Sequence, residues 1–178
     1  DEVQPGGLIS NWLHANLKAG DTLQTSAAFG DFKPGIDGSA PIVLLSAGVG
    51  ITPMVSVLNT LAERNPNRRV LFAHAARHGR HHPLRSDIRA ARGKLKALTE
   101  VQFYETPDAN DQIGIDYQHQ GRMSLSWLGL DQVADANIYL CGPSAFMQQQ
   151  WKDLIAAGVA PSRIYREVFG PDLLEHLI

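Results

Sequence analysis

The sequence predicts an open, doubly wound α/β fold, a five-stranded parallel sheet with helices on both faces, preceded by the tail of a second, β-rich domain. Three observations predict it. Residues 42–47, IVLLSA, form a near-continuous apolar run, as strands covered on both faces require. A helical stretch follows, with Met54, Val55, Leu58 and Leu61 spaced onto one face. Strand and helix patterns then keep alternating, and right-handed crossovers turn such an alternation into a parallel sheet.

In chain order, residues 1–33 are too few for a domain. They offer an amphipathic helix from Leu8 to Leu17, with Trp12 and Leu13 directed inward, and an extended segment from Thr22 to Phe32. The first residue is not methionine, and this region is expected to be the end of a domain whose beginning lies outside the sequence. Residues 34–39, PGIDGS, are rich in turn formers and mark the boundary, giving domains 1–36 and 40–178. Beyond it the pattern predicts strand Ile42 to Ala47, helix Thr52 to Arg64, strand Val70 to Ala76 and helix Pro83 to Leu98. Strand Val101 to Glu105, strand Asn137 to Cys141, helix Ser144 to Ala157 and strand Arg163 to Phe169 complete it. Open parallel sheets bind ligands beyond the carboxyl ends of their strands. The segments to inspect are therefore Gly48 to Thr52, Ala76 to Arg80, Thr106 to Asn110 and Cys141 to Ser144.

A chain of 178 residues, 44% hydrophobic, can bury one ordinary core. The most apolar stretch, Ala40 to Ile51, is too short to span a bilayer, and no leader pattern opens the sequence, so a cytoplasmic protein with no membrane partner is expected. The single cysteine, Cys141, excludes an intrachain disulfide and a four-cysteine zinc or iron–sulfur site. Ten of the sixteen Lys and Arg fall between Arg64 and Lys96, where Asp87 is the one acid, which creates a local positive field. That field reads either as a solvated helix face and loop or as a place for nucleotide phosphate. A pI of about 6.4 and 7% aromatic residues argue against nucleic acid as a partner.

Gly48-Val49-Gly50 falls after a buried strand and before a helix, the context that gives paired glycines meaning. Thr52 suits the N-cap and Pro53 the first helical position, which would aim a helix N-terminus and its dipole at the loop. A phosphate cradle and a tight strand-to-helix turn both fit, because proline stands where a third glycine would be and no acid closes the second strand. Cys141-Gly142-Pro143 ends the fourth strand at the same edge, where a lone cysteine is either a small core residue or a neighbour of the same ligand. His78, His81 and His82 share one polar loop without a supporting acid or cysteine, so no metal site is expected.

Together, GGLISNWLH, GDF, SAGVGITPM, HAARHG, YLCGP and EVFGP, in this order and spacing, resemble the ferredoxin–NADP reductase superfamily, and within it the reductase half of flavohaemoglobins. The resemblance spans nearly the whole chain. It implies an antiparallel β-barrel FAD domain, of which residues 1–36 are the tail, and an NAD(P)-binding domain. Gly6, Gly7, Leu8, Ile9 and Ser10 match the segment that holds the FAD pyrophosphate, and Gly48, Val49, Gly50, Ile51, Thr52 and Pro53 the NAD(P)-binding turn, with Thr52 near the nicotinamide. Cys141, Gly142 and Pro143 match the motif that sets nicotinamide against flavin. Glu167 and Phe169 match the C-terminal pair whose aromatic ring covers the flavin until nicotinamide displaces it; as a plain residue, Phe169 would be core at a strand end. The implied activity is NAD(P)H:flavin oxidoreduction, with electrons passing through FAD to a haem in a separate globin domain, as in nitric oxide dioxygenation.

The sequence departs from the family pattern in three ways. The R-x-Y-S segment would precede residue 1, so the chain alone is expected to bind FAD poorly. Ala28 replaces a usual proline, and Val168 a cysteine found in some members. Arg77 and Arg80 after the second strand point to NADPH, whereas the resemblance points to NADH, which is the expectation adopted here, with Arg77 beside the adenosine. Two rival readings remain: an oxygenase reductase that delivers electrons to a separate iron–sulfur protein, and a non-catalytic nucleotide-binding domain.

Overall fold

The computed structural model describes residues 7–27, 30, 32–128 and 135–169. The chain forms two compact units, Asp1–Asp31 and Phe32–Ile178. In the first, α1 runs from Leu8 to Asn16 and buries none of its residues. Leu13 is half-buried, but Trp12 is 54% exposed and not inward as its spacing suggested. The reason is local: residues 22–27 form neither helix nor strand, so the described part of this unit supplies no surface for the apolar face of α1.

The second unit is the predicted parallel α/β fold, with six strands instead of five. They are β1 (Ile42–Ala47), β2 (Arg69–Ala76), β3 (Ala97–Tyr104), β4 (His119–Gln120), β5 (Asn137–Cys141) and β6 (Ile164–Glu167), in spatial order β4-β3-β2-β1-β5-β6. Every neighbouring pair is parallel. The extra strand, β4, is two polar residues at the sheet edge beside Phe103 and Tyr104, too short to leave a periodic signal.

Among the described residues the α-helices of this unit are α2 (Ile51–Arg64), α3 (Arg85–Arg92) and α4 (Ser144–Ala156). Successive strand residues face opposite ways, which is why β1 must be apolar throughout. Ile42 and Leu44 join Met54, Leu58 and Leu61 of α2 and Ile88 of α3 in one core. Val43 and Leu45 join Met147 and Leu154 of α4 in the other. Truncating a fully buried leucine such as Leu44 or Leu58 costs about 2–5 kcal/mol.

Two boundaries differ from the sequence reading. The helix expected over Pro83 to Leu98 is confined to α3, because the chain turns at Gly93, buries Leu95 and enters β3 at Ala97. Leu98 belongs to that strand, whose exposed outer half hides its pattern. The last strand stops at Glu167, leaving Val168 packed on the second core and Phe169 49% exposed, which removes the reading of Phe169 as core.

Candidate functional site

The strand order reverses at β1: the chain builds outward to β2, β3 and β4 on one side and to β5 and β6 on the other. The carboxyl ends of β1 and β5 are therefore the topological switch point, the place where open parallel sheets bind ligands. Gly48-Val49-Gly50 and Cys141-Gly142 meet there. A Cβ on Gly50 would lie 2.2 Å from the Cys141 carbonyl oxygen and 2.6 Å from the Gly142 nitrogen, and a Cβ on Gly142 would come within 3.1 Å of the Ala47 backbone. The two turns interlock, backbone on backbone.

The glycines therefore have different jobs. In a phosphate cradle both Gly48 and Gly50 would serve close approach by a ligand, but Gly50 is buried and reserved for Cys141. Gly48 has φ +53° with nothing within 4 Å of its Cβ position, so it shapes the turn and leaves its outer side open. Val49 beside it is 66% exposed. The turn is a single 3₁₀ turn over Gly48–Gly50, and α2 begins at Ile51 with Gly50 as its cap. Thr52 is thus in the first helical turn and not the N-cap; its hydroxyl donates to the Val49 carbonyl at 3.0 Å, and Pro53 follows it.

Near the carboxyl ends of the strands, the register aligns a polar row that no local sequence pattern reveals. Gln102 pairs with His74, His74 with Ser46, Ser46 with Cys141 and Cys141 with Glu167. Paired residues share a face, so this row interrupts the core beneath α2 and α3. His74 Nδ1 and the Ser46 hydroxyl are 2.9 Å apart, both fully buried. Burial, with His82 nearby, pushes the His74 pKa down to about 3. His82 is also buried, and not in a solvated loop as expected; its Nδ1 lies 2.9 Å from the Tyr104 hydroxyl and its ring 5.0 Å from that of His74. Burial and Arg85 lower its pKa to about 4, so both rings are neutral at physiological pH. Among the described residues no group of three or more His, Cys, Asp or Glu is placed to hold a metal.

Cys141 is 1% exposed, and burial, reinforced by Glu167, raises its thiol pKa to about 12. A thiol so held is no nucleophile; it is a small neutral group in the core beneath the strand ends.

Acids missing from the end of β2 arrive from the loop after β3. Asp108 accepts two hydrogen bonds from Arg80, at 2.9 and 3.0 Å, and lies 3.0 Å from His78 Nδ1. Asp111 accepts from the amides of Gly79 and Asp108, at 3.0 and 2.8 Å, and joins the two loops. Arg77 is exposed, its backbone fixed by the Thr106 amide donating to its carbonyl at 2.9 Å.

Of the residues expected to match an FAD segment, Gly7, Leu8, Ile9 and Ser10 open α1, and Gly6 lies outside the described residues. The Ser10 hydroxyl donates to the Gly7 carbonyl at 3.2 Å. Leu8 and Ile9 are 83% and 69% exposed.

Residues 44–152 match the model of the oxidoreductase NAD-binding domain. The chain belongs to this family. This NAD-binding-domain protein is 45% identical over 168 residues to a flavohemoprotein of Chromobacterium violaceum, covering 94% of the chain and 41% of the relative. It is 42% identical over 167 residues to one of Bordetella pertussis, covering 93% of the chain and 42% of the relative. The chain thus spans about two fifths of the length of these relatives. Among solved structures it resembles the flavohem-like FAD/NAD-binding domain of nitric oxide dioxygenase from Vibrio cholerae, with TM-score 0.78, 38% identity and coverage of 93% of this chain and 65% of that one. No helix among the described residues is long and apolar enough to cross a membrane.

Proposed function

We propose that this chain is the coenzyme-binding part of a flavohaemoglobin-type reductase, taking electrons from NADH and passing them through FAD to a haem domain elsewhere in the same protein. The observation that carries this is the interlock of Gly50 with Cys141–Gly142 at the strand-order reversal, with the outer side of Gly48 open. A pyrophosphate fits against that open side, where a Cβ would meet no protein atom.

In this reading residues 1–36 are the tail of an antiparallel barrel that binds FAD, and residues 40–178 bind the coenzyme. Gly48, Val49, Gly50, Ile51, Thr52 and Pro53 take the NADH pyrophosphate and approach the nicotinamide, and Arg77 lies beside the adenosine. Cys141, Gly142 and Pro143 set the depth at which nicotinamide rests, with the neutral thiol and Glu167 beside it. Phe169, exposed past the end of β6, is free to stack on the flavin and yield to nicotinamide. Gly6, Gly7, Leu8, Ile9 and Ser10 hold the FAD pyrophosphate at the start of α1, where the helix dipole favours an anion. When bound, nicotinamide and flavin supply the hydride and single-electron chemistry; the chain supplies alignment and exclusion of water. The identity with flavohemoproteins over nearly the whole chain supports a globin partner domain and a cytoplasmic setting.

The test is an anaerobic absorbance spectrum of the full-length protein before and after NADH. Bleaching of a bound flavin followed by haem reduction is expected. A full-length protein without flavin, or a flavin that NADH leaves oxidised, contradicts the proposal.

A further inference from the structure

We propose that Asp108, in the loop after β3, sets the coenzyme preference by occupying Arg80, so that a ribose 2′-phosphate meets a carboxylate instead of a second free cation. This rests on the reading of the strand-end crevice as a nicotinamide-coenzyme site.

In folds of this kind the end of the second strand reads the ribose 2′ position: an acid there receives a free hydroxyl, an arginine a phosphate. On composition alone this chain offers two arginines and no acid. The fold changes that balance. Asp108 reaches across from β3 and takes both Arg80 donors in a bidentate pair, at 2.9 and 3.0 Å, with His78 Nδ1 at 3.0 Å from the same carboxylate. A fork bound through Nε and Nη2 has one bidentate face used and its charge offset by the carboxylate. The hydrogen bond from Arg80 holds the Asp108 carboxyl below the usual range, so it is charged at neutral pH.

An exposed ion pair alone is weak, and the Arg80 side chain is 78% exposed. Here the carboxylate is held in place from behind. Asp111 accepts the Asp108 amide at 2.8 Å and the Gly79 amide at 3.0 Å, fixing the two loops to each other. A Cβ on Gly79 would lie 2.2 Å from an Asp111 carboxylate oxygen, so a side chain there would displace that carboxylate. Arg77, by contrast, has no hydrogen bond or ion pair from its guanidinium among the described residues. Specificity of this kind comes from placing a like charge against the wrong ligand as much as from attracting the right one.

The experiment is calorimetric titration of the chain with NAD⁺ and with NADP⁺, for the wild type, Asp108→Asn, Arg80→Ala and the double variant, with thermal unfolding as the check on folding. Asp108→Asn should raise NADP⁺ affinity relative to NAD⁺ about tenfold, the low end for a charge-assisted contact to phosphate. Arg80→Ala alone bares the Asp108 carboxylate and should not raise that ratio, and the double variant should lose the gain. An unchanged ratio in Asp108→Asn with NAD⁺ binding intact overturns the assignment, as does a gain that survives without Arg80. If neither coenzyme binds any variant, the reading of the crevice itself falls, and this inference with it.

Discussion

A Cβ on Gly50 would lie 2.2 Å from the carbonyl oxygen of Cys141. The obstacle is backbone in a central strand, which cannot rotate away, so Gly50→Ala should cost about 3 kcal/mol or more. Gly48→Ala meets no atom and pays only for its left-handed backbone, about 1–2 kcal/mol. Urea denaturation of both variants measures the difference; equal losses would mean that the two turns do not interlock.

Cys141 predicts a chemical result. A thiol 1% exposed with its pKa pushed up to about 12 should resist iodoacetamide in the native protein at pH 8 and react once unfolded. Mass spectrometry after timed quenching reads the modification. Rapid labelling of the native chain would show that the crevice floor opens.

The buried histidines predict an acid limit to stability. The folded pKa values of about 3 for His74 and about 4 for His82 lie below the ordinary 6.5, so below pH 6.5 the unfolded chain takes up protons that the folded chain refuses. Their contribution is complete above that pH and is lost as pH falls, down to about 4 for His82 and about 3 for His74. The slope is at most about 1.4 kcal/mol per pH unit for each ring. Urea midpoints at pH 7 and pH 5 should differ, and His82→Gln should shrink the difference. A His82→Gln variant as acid-sensitive as the wild type would remove His82 from this account.

Much of this was legible in the sequence because it lives on short-range pattern. The apolar run of β1 and the one-sided face of α2 announce a parallel sheet with covered faces, and Gly48-Val49-Gly50 marks the turn between them. What was hidden depends on register. Nothing local connects Ser46 with His74, 28 residues on, or Arg80 with Asp108, also 28 residues on, yet parallel pairing places each pair in contact. His82 reads as loop because it follows Gly79-Arg80-His81, and its burial comes from Tyr104 on another strand. The end of α3 is hard to read because Leu95 and Leu98 continue an apolar spacing after the helix has ended at Arg92.

The exposed ring of Phe169 predicts a separation of effects. At 49% exposure its removal should shift thermal unfolding by little, within about 0.5 kcal/mol, while in the full-length protein it should change the rate of flavin reduction by NADH. Stopped-flow and thermal scans on Phe169→Ala give both numbers. A large loss of stability with unchanged reduction kinetics would return Phe169 to a structural role.

Amide chemical-shift mapping during titration with NAD⁺ reads whether a nicotinamide coenzyme binds above β1 and β5. Saturable shifts are expected at Gly48 to Thr52 and at Cys141 to Ser144, with a weaker set at Arg77. No saturable shifts, or shifts confined to the opposite ends of the strands, would contradict it.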